Sequence, residues 1–243
     1  MSVVVIFGAT GTIGSALARR LVRLGRQVLL AGRSEEKLKS LSDEIRQPYV
    51  TVDMSDSQSL DEAIRDTAEA YGGVDAFVNC IGSLLLKPAH ITTDDEFHQV
   101  VETNLFTAFA TVRMGAKHLR ARGGSIVLFA SAAAEIGIAN HEAIAAAKAG
   151  IIGLARSAAA TYAATNIRVN VVSPGLIRTD LTRRIWENPA SATASAQMHA
   201  LGRLGEPDQV ASLAAWLLDP DNDWITGQVI GIDGGLGHVL PRR

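Results

Sequence analysis

The sequence predicts an α/β fold, a doubly wound parallel seven-stranded sheet with helices on both faces, from three observations. Short β-branched runs alternate with longer segments of helical period, the pattern that forces parallel strands covered on both sides. The first apolar run passes through a glycine-rich turn straight into an amphipathic segment. The 243 residues suit a single domain with a substantial core rather than two.

In chain order, the first strand is expected at Val3–Phe7, an unbroken β-branched and aromatic run, followed by a helix over Ile13–Leu24. The second strand, Gln27–Ala31, leads into a helix over Glu35–Ile45 that opens on two acids. Strand Tyr49–Val52 precedes the helical pattern Leu60–Tyr71, and Asp75–Asn79 precedes one long helical pattern, Glu96–Leu119. Strand Ser125–Ala130 is followed by the alanine-rich helix Ile144–Ala163, Arg168–Val172 by a long connection, and Pro207–Leu217 forms the last helix before strand Gln228–Ile232. Neither an internal repeat nor a low-complexity linker interrupts this order. Right-handed crossovers then bring the C-terminal ends of all strands to one edge of the sheet, where a ligand crevice opens.

Lysine plus arginine number 23 against 25 acids, for a net charge of −2, so no basic surface suggests nucleic acid or an anionic membrane. Small neutral partners are favoured. Cys80 is the single cysteine, which excludes an intrachain disulfide and a cysteine-rich metal site and fits a reducing compartment. Its simplest role is a small buried filler. With no basic flank or cleavage signal at the start and no apolar stretch read as membrane-spanning, a soluble cytoplasmic protein is expected.

The turn after the first strand reads Gly8-Ala9-Thr10-Gly11-Thr12-Ile13-Gly14. Glycines stand where backbone must approach a ligand, and the amides and dipole of the following helix would hold a pyrophosphate. After the second strand, Ala31-Gly32-Arg33-Ser34 lacks the carboxylate that an unphosphorylated adenosine ribose usually meets and supplies a guanidinium instead. Arg33 could clamp a 2′-phosphate by charge-assisted bonds, favouring NADP(H) over NAD(H). The alternative is a solvated arginine beside a helix that Ser34 caps.

With these residues the chain resembles the short-chain dehydrogenase/reductase family over essentially its full length, which implies a Rossmann fold and a nicotinamide cofactor. The family's adenine-side acid is matched by Asp53, followed by Met54, and its Asn-Asn-Ala-Gly motif by Asn79-Cys80-Ile81-Gly82. Its helix asparagine is matched by Asn104, its catalytic serine by Ser131, and its active-site lysine by Lys148. Pro174-Gly175-Leu176-Ile177-Arg178-Thr179 matches the loop flanking the nicotinamide. Gly202 to Pro207 and Ile225 to Gly235 resemble the C-terminal signature of the short, single-domain branch. The resemblance implies that Ser131 binds the substrate oxygen, Lys148 binds the ribose hydroxyls and supplies a positive field, and Asn104 holds a water that links Lys148 to solvent. A serine capping a turn and a solvated lysine are the bland readings of the same residues.

Two departures stand out. The glycine loop has the G-x-x-G-x-x-G spacing of the family's extended branch. More consequentially, the Tyr-x-x-x-Lys motif appears as Ile144-Ala145-Ala146-Ala147-Lys148. In the family a tyrosine exchanges the proton with the substrate oxygen, its phenol pKa lowered from about 10 by the neighbouring ammonium. Isoleucine cannot. If the helix extends one turn towards its N-terminus, His141, Ile144 and Lys148 share a stripe and the imidazole approaches the site. Otherwise His141 belongs to a loop or a subunit contact behind a cap at Asn140. A water held by Ser131 and Lys148 is the other candidate donor.

A substrate flap is expected over residues 180–201, offering Ile185, Trp186, Met198 and His199 beside Arg183 and Arg184, with Leu84-Leu85-Leu86 at the pocket rim. These permit a mixed, moderately apolar small molecule. The family commonly assembles through its long helices and C-terminal strand, so a homo-oligomer, dimer or tetramer, is expected. The function read from the sequence is an NADP(H)-dependent oxidoreductase acting on a small carbonyl, alcohol or activated alkene with a nonstandard proton donor. The alternative is a catalytically silent NADP(H)-binding sensor or scaffold.

Overall fold

The computed structural model describes residues 3–240. Seven strands, β1 (Val3–Phe7), β2 (Gln27–Gly32), β3 (Tyr49–Thr51), β4 (Val74–Asn79), β5 (Gly124–Phe129), β6 (Ile167–Pro174) and β7 (Val229–Ile232), form one sheet in the order β3-β2-β1-β4-β5-β6-β7. Every pairing is parallel. The strand order reverses between β1 and β4, which opens the crevice at the C-terminal edge where the expected site residues lie.

Helices cover both faces. α1 (Thr12–Arg23), α2 (Glu35–Ile45) and α9 (Pro207–Leu217) bury Leu17, Leu21, Leu38, Val210 and Leu217 against Val4, Ile6, Val28 and Leu30. On the other face α3 (Ser57–Tyr71), α5 (Thr107–Leu119) and α6 (Glu142–Tyr162) bury Leu60, Ile64, Met114 and Ile151 against Val5, Phe7, Phe77, Ile126 and Val171. Central strands with both faces dry read as continuous apolar runs, which is why β1 and β5 were legible as strands.

Three expectations need correction. The helix expected over Glu96–Leu119 is interrupted: α4 (Asp94–Val101) passes through a π-helical segment, Glu102–Phe106, before α5 begins. Asn104 Nδ2 donates to the Val100 carbonyl at 2.9 Å, taking the acceptor that the backbone amide of the same residue would use, so the local register lengthens. Helix α3 starts three residues earlier than expected, because the Asp56 carboxylate accepts from the amides of Gln58 and Ser59. Finally, α6 together with the turn after it is long and apolar enough to cross a membrane by length and composition. It is instead a core helix, with Ile144, Ala147, Ile151, Ala155 and Ala158 buried.

The flap region carries two helices, α7 (Arg183–Trp186) and α8 (Pro189–Met198), the latter capped by the Asn188 side chain on the Ser191 amide at 3.0 Å.

Candidate active site

The glycine turn is built for close backbone approach. Gly8 adopts φ +74°, a left-handed conformation that favours glycine, and its carbonyl accepts the Gly11 amide at 3.0 Å. A Cβ on Gly14 would stand 2.3 Å from that carbonyl oxygen. Helix α1 starts without a side-chain cap and without an acid in its first turn, so the amides around Thr12 and Ile13 are free to receive an anion. These features fit a dinucleotide pyrophosphate. Gly14→Ala is expected to push the Gly8 turn out of place, at a cost of about 1–3 kcal/mol, and to weaken nucleotide affinity about tenfold or more. Unchanged affinity in a fluorescence titration would contradict this placement.

At the β2 and β3 ends, exposed Arg33 lies close enough to Asp53 to lower its pKa. The larger cause of that lowering is Ser55, whose amide and hydroxyl donate to the Asp53 carboxylate at 2.9 and 2.8 Å. Ser34 caps α2 on the Lys37 amide, so the cap and an exposed guanidinium at Arg33 coexist. Met54 is buried beneath this end of the sheet.

Across the strand-order reversal, Asn79 is buried and shapes the next turn. Its Nδ2 donates to the Thr107 hydroxyl at 3.1 Å, and its Oδ1 accepts the Ile81 amide at 3.0 Å. Half-buried Cys80 packs at the margin of the core, and desolvation pushes its thiol up to about 12, leaving it an uncharged filler.

Lys148 is buried, and its Nζ donates to the Phe129 carbonyl at 2.9 Å. Desolvation lowers its pKa to about 8, and no ion pair with a carboxylate is present among the described residues. Gly82 separates Lys148 from Asn104: a Cβ there would lie 3.6 Å from Lys148 Nζ and 3.2 Å from Asn104 Oδ1. Both amide donors of Asn104 are used, by Ser83 Oγ and the Val100 carbonyl, and its Oδ1 accepts the Ser83 amide at 3.2 Å. One acceptor position on Oδ1 remains. The Ser131 oxygen accepts the Ala133 amide at 3.2 Å, capping a short turn, and its hydroxyl proton stays available. The bland and the functional readings of Ser131 are therefore compatible.

Ile144 is buried in an aliphatic cluster with Val100, Ala143 and Ala147, covered by Leu84 and Leu85. The His141 carbonyl accepts the Ala145 amide at 2.7 Å, closing the first turn of α6. His141 itself stands at the cap position outside α6, with φ −110°, and its Nδ1 bonds the Ala139 carbonyl at 2.8 Å. Asn140, expected as the cap, takes a left-handed φ of +63° instead.

The Pro174–Thr179 loop is held from behind. Ile177 bridges to Gly205, the Arg178 amide donates to the Gly205 carbonyl at 2.9 Å, and buried His199 accepts the Leu176 amide at 3.1 Å while bonding the Ser195 carbonyl at 2.7 Å. A Cβ on Gly175 would meet the His199 ring at 2.6 Å. His199, expected among the flap residues over the pocket, lines a cavity beside this loop and also pins the Pro174–Thr179 backbone. Trp186 pins the same backbone, its Nε1 donating to the Thr179 carbonyl at 2.9 Å. Thr12 ties the glycine turn to the flap, exchanging two 3.2 Å hydrogen bonds with Asp180.

A family model described as enoyl-(acyl carrier protein) reductase matches residues 8–237. The chain is 34% identical to 3-oxoacyl-(acyl-carrier-protein) reductase FabG of Thermotoga maritima, over 96% of this chain and 97% of that one. Among solved structures, a short-chain type dehydrogenase/reductase from Mycobacterium ulcerans superposes with a TM-score of 0.93 at 28% identity, covering 97% of this chain and 90% of that one. A variant of the actinorhodin polyketide ketoreductase with NADPH gives 0.90 at 28% identity, covering 98% of each chain.

Proposed function

Because the chain belongs to the short-chain dehydrogenase/reductase family of NAD(P)-dependent oxidoreductases, we propose that it catalyses NADP(H)-dependent reduction of a small carbonyl or activated alkene, or the reverse oxidation, with its proton donor moved off position 144. The carrying observation is Lys148, a buried ammonium without a carboxylate partner among the described residues, its pKa near 8, one helical turn from an aliphatic side chain. NADP(H), when bound, supplies or accepts the hydride. The glycine turn and uncapped α1 hold its pyrophosphate, Arg33 its 2′-phosphate, and Ile177 and Thr179 flank its nicotinamide end. Ser131 donates to the substrate oxygen, and a water between Ser131 and Lys148 delivers the proton, with Asn104 Oδ1 able to hold a second water towards solvent. His141, bound to its own loop, is not needed.

One observation favours a silent binding protein instead: Ile144 continues a dry cluster rather than facing a replacement acid. A panel of ketones, aldehydes and enones with NADPH tests the oxidoreductase reading. Consumption of NADPH with any of them supports it, and none across the panel supports the sensor.

The cofactor preference has its own test. Arg33→Asp is expected to weaken NADPH binding roughly 10- to 100-fold, the loss of a charge-assisted contact of about 1.5–3 kcal/mol, while NADH binding holds or improves. Equal weakening of both would contradict the phosphate clamp. A homo-oligomer is part of the same reading, supported by exposed Phe97, Phe106 and Phe109 on the α4–α5 arm and by β7 as an unpaired sheet edge.

A further inference from the structure

Glu135 is a carboxylate that the hydride transfer above does not use. It follows the short turn Ala132–Ala134 that Ser131 caps, four residues beyond the side chain assigned to the substrate oxygen. One of its oxygens accepts the hydroxyl of Ser173, which is fully buried on β6 immediately before Pro174. The carboxylate therefore bridges the ends of β5 and β6, the two strand ends between which a substrate must sit if Ser131 touches its oxygen and the Pro174–Thr179 loop flanks the nicotinamide.

Its charge is poorly answered from within the chain. The Glu135 side chain is only 20% exposed, and an ionised carboxylate offers about four acceptor positions. Among the described residues Ser173 fills one at hydrogen-bond distance, and the only basic side chain facing the second oxygen is the His238 imidazole, 3.5 Å away and two-thirds exposed on the segment after β7. Neither a lysine nor an arginine pairs with it among the described residues. A carboxylate this far out of water needs donors of its own, and an opposite charge most of all.

We propose that Glu135 is a specificity-determining residue that anchors an ammonium group of the substrate, so that the preferred class is amine-bearing carbonyl compounds or the matching amino alcohols. The ammonium displaces the exposed His238 ring and bonds the free lone pairs of the carboxylate, while Ser173 keeps the carboxylate facing the site. This rests on the oxidoreductase reading, so binding and turnover are measured separately.

The test titrates amino ketones of increasing chain length, with hydroxy ketones and keto acids of matching length, into the NADP-loaded protein by calorimetry and assays each for turnover with NADPH. The amino ketone of best length is expected to bind about tenfold or more tightly than its hydroxy counterpart. Glu135→Gln, which keeps the shape and the Ser173 contact, should erase most of that advantage, and Glu135→Lys should turn preference towards the keto acid. The anchor is overturned if no amino ketone binds, if the hydroxy ketones bind as well, or if the ranking survives Glu135→Gln. Glu135-dependent binding without turnover would keep the anchor and overturn hydride transfer. Turnover indifferent to Glu135 would do the reverse.

Discussion

Replacing Ile144 by tyrosine is expected to raise the rate of ketone reduction by roughly 10² to 10⁴, about 3–5 kcal/mol of barrier at ~1.36 kcal/mol per decade. Position 144 lies one turn before Lys148 on a helix that buries both side chains. A phenol there meets the Lys148 ammonium, which favours the ionised form and lowers its pKa towards the working range. In the proposed mechanism the rest of the frame is Ser131, which keeps a free hydroxyl proton, and Lys148, which the Phe129 carbonyl fixes. The substitution also carries a structural cost. Ile144 is 3% exposed among Val100, Ala143, Ala147, Leu84 and Leu85, and an aromatic ring in that space overpacks it by about 1–3 kcal/mol of stability. The two effects separate cleanly, one in kcat/KM and the other in the thermal midpoint, with NADPH affinity unchanged. A folded, NADPH-binding Ile144→Tyr protein that reduces no carbonyl faster than the parent would mean that the site has left carbonyl chemistry.

Lys148→Met is expected to cut turnover by a similar factor, roughly 10² to 10⁴, while leaving the folded protein no less stable at neutral pH. Burial lowers the Lys148 pKa from 10.5 to about 8, so the folded chain holds this proton less tightly than the unfolded chain does. Stability is therefore reduced below about pH 8, and the reduction fades as pH rises from 8 towards 10.5. At about 1.36 kcal/mol per pH unit the neutral-pH penalty is about 3 kcal/mol. Methionine removes it but strips the Phe129 carbonyl of its donor, which returns about 1–3 kcal/mol. The wild type should gain on the variant in urea midpoint between pH 7 and pH 10, and an unchanged gap would contradict a buried ammonium. In the same window ketone reduction by the wild type should fall as pH passes about 8, because the protonated form supports proton delivery.

The parts of the molecule that sequence made legible are those whose cause is local. The strand β1, the glycine turn and the Ser34 cap each follow from neighbours within a few residues, and they occur where expected. The π-helical break at Asn104 was not legible, because it arises when a side chain takes the Val100 carbonyl, which a helical period does not reveal. The flap helix α8 carries a local start signal, Asn188 followed by Pro189, inside a stretch with too few apolar residues to show a helical period. The contact of His199 with the Leu176 amide and the placement of Glu135 had no sequence signal, since Leu176 and Ser173 lie on other elements and are brought close only by the fold. The aliphatic surroundings of Ile144 likewise depend on α4 and the turn after β4 packing onto α6.

The most direct measurement follows the hydride itself. Wild-type protein is incubated with NADPH deuterated at C4 on either face and the carbonyl panel, and the products are analysed by mass spectrometry. An active oxidoreductase built on Ser131 and Lys148 transfers the label from one face only to the carbon of at least one carbonyl or alkene, and loses that transfer in Lys148→Met. Saturable NADPH binding with no label in any product, in both the wild type and Ile144→Tyr, would contradict it and leave a dinucleotide-binding protein without hydride chemistry.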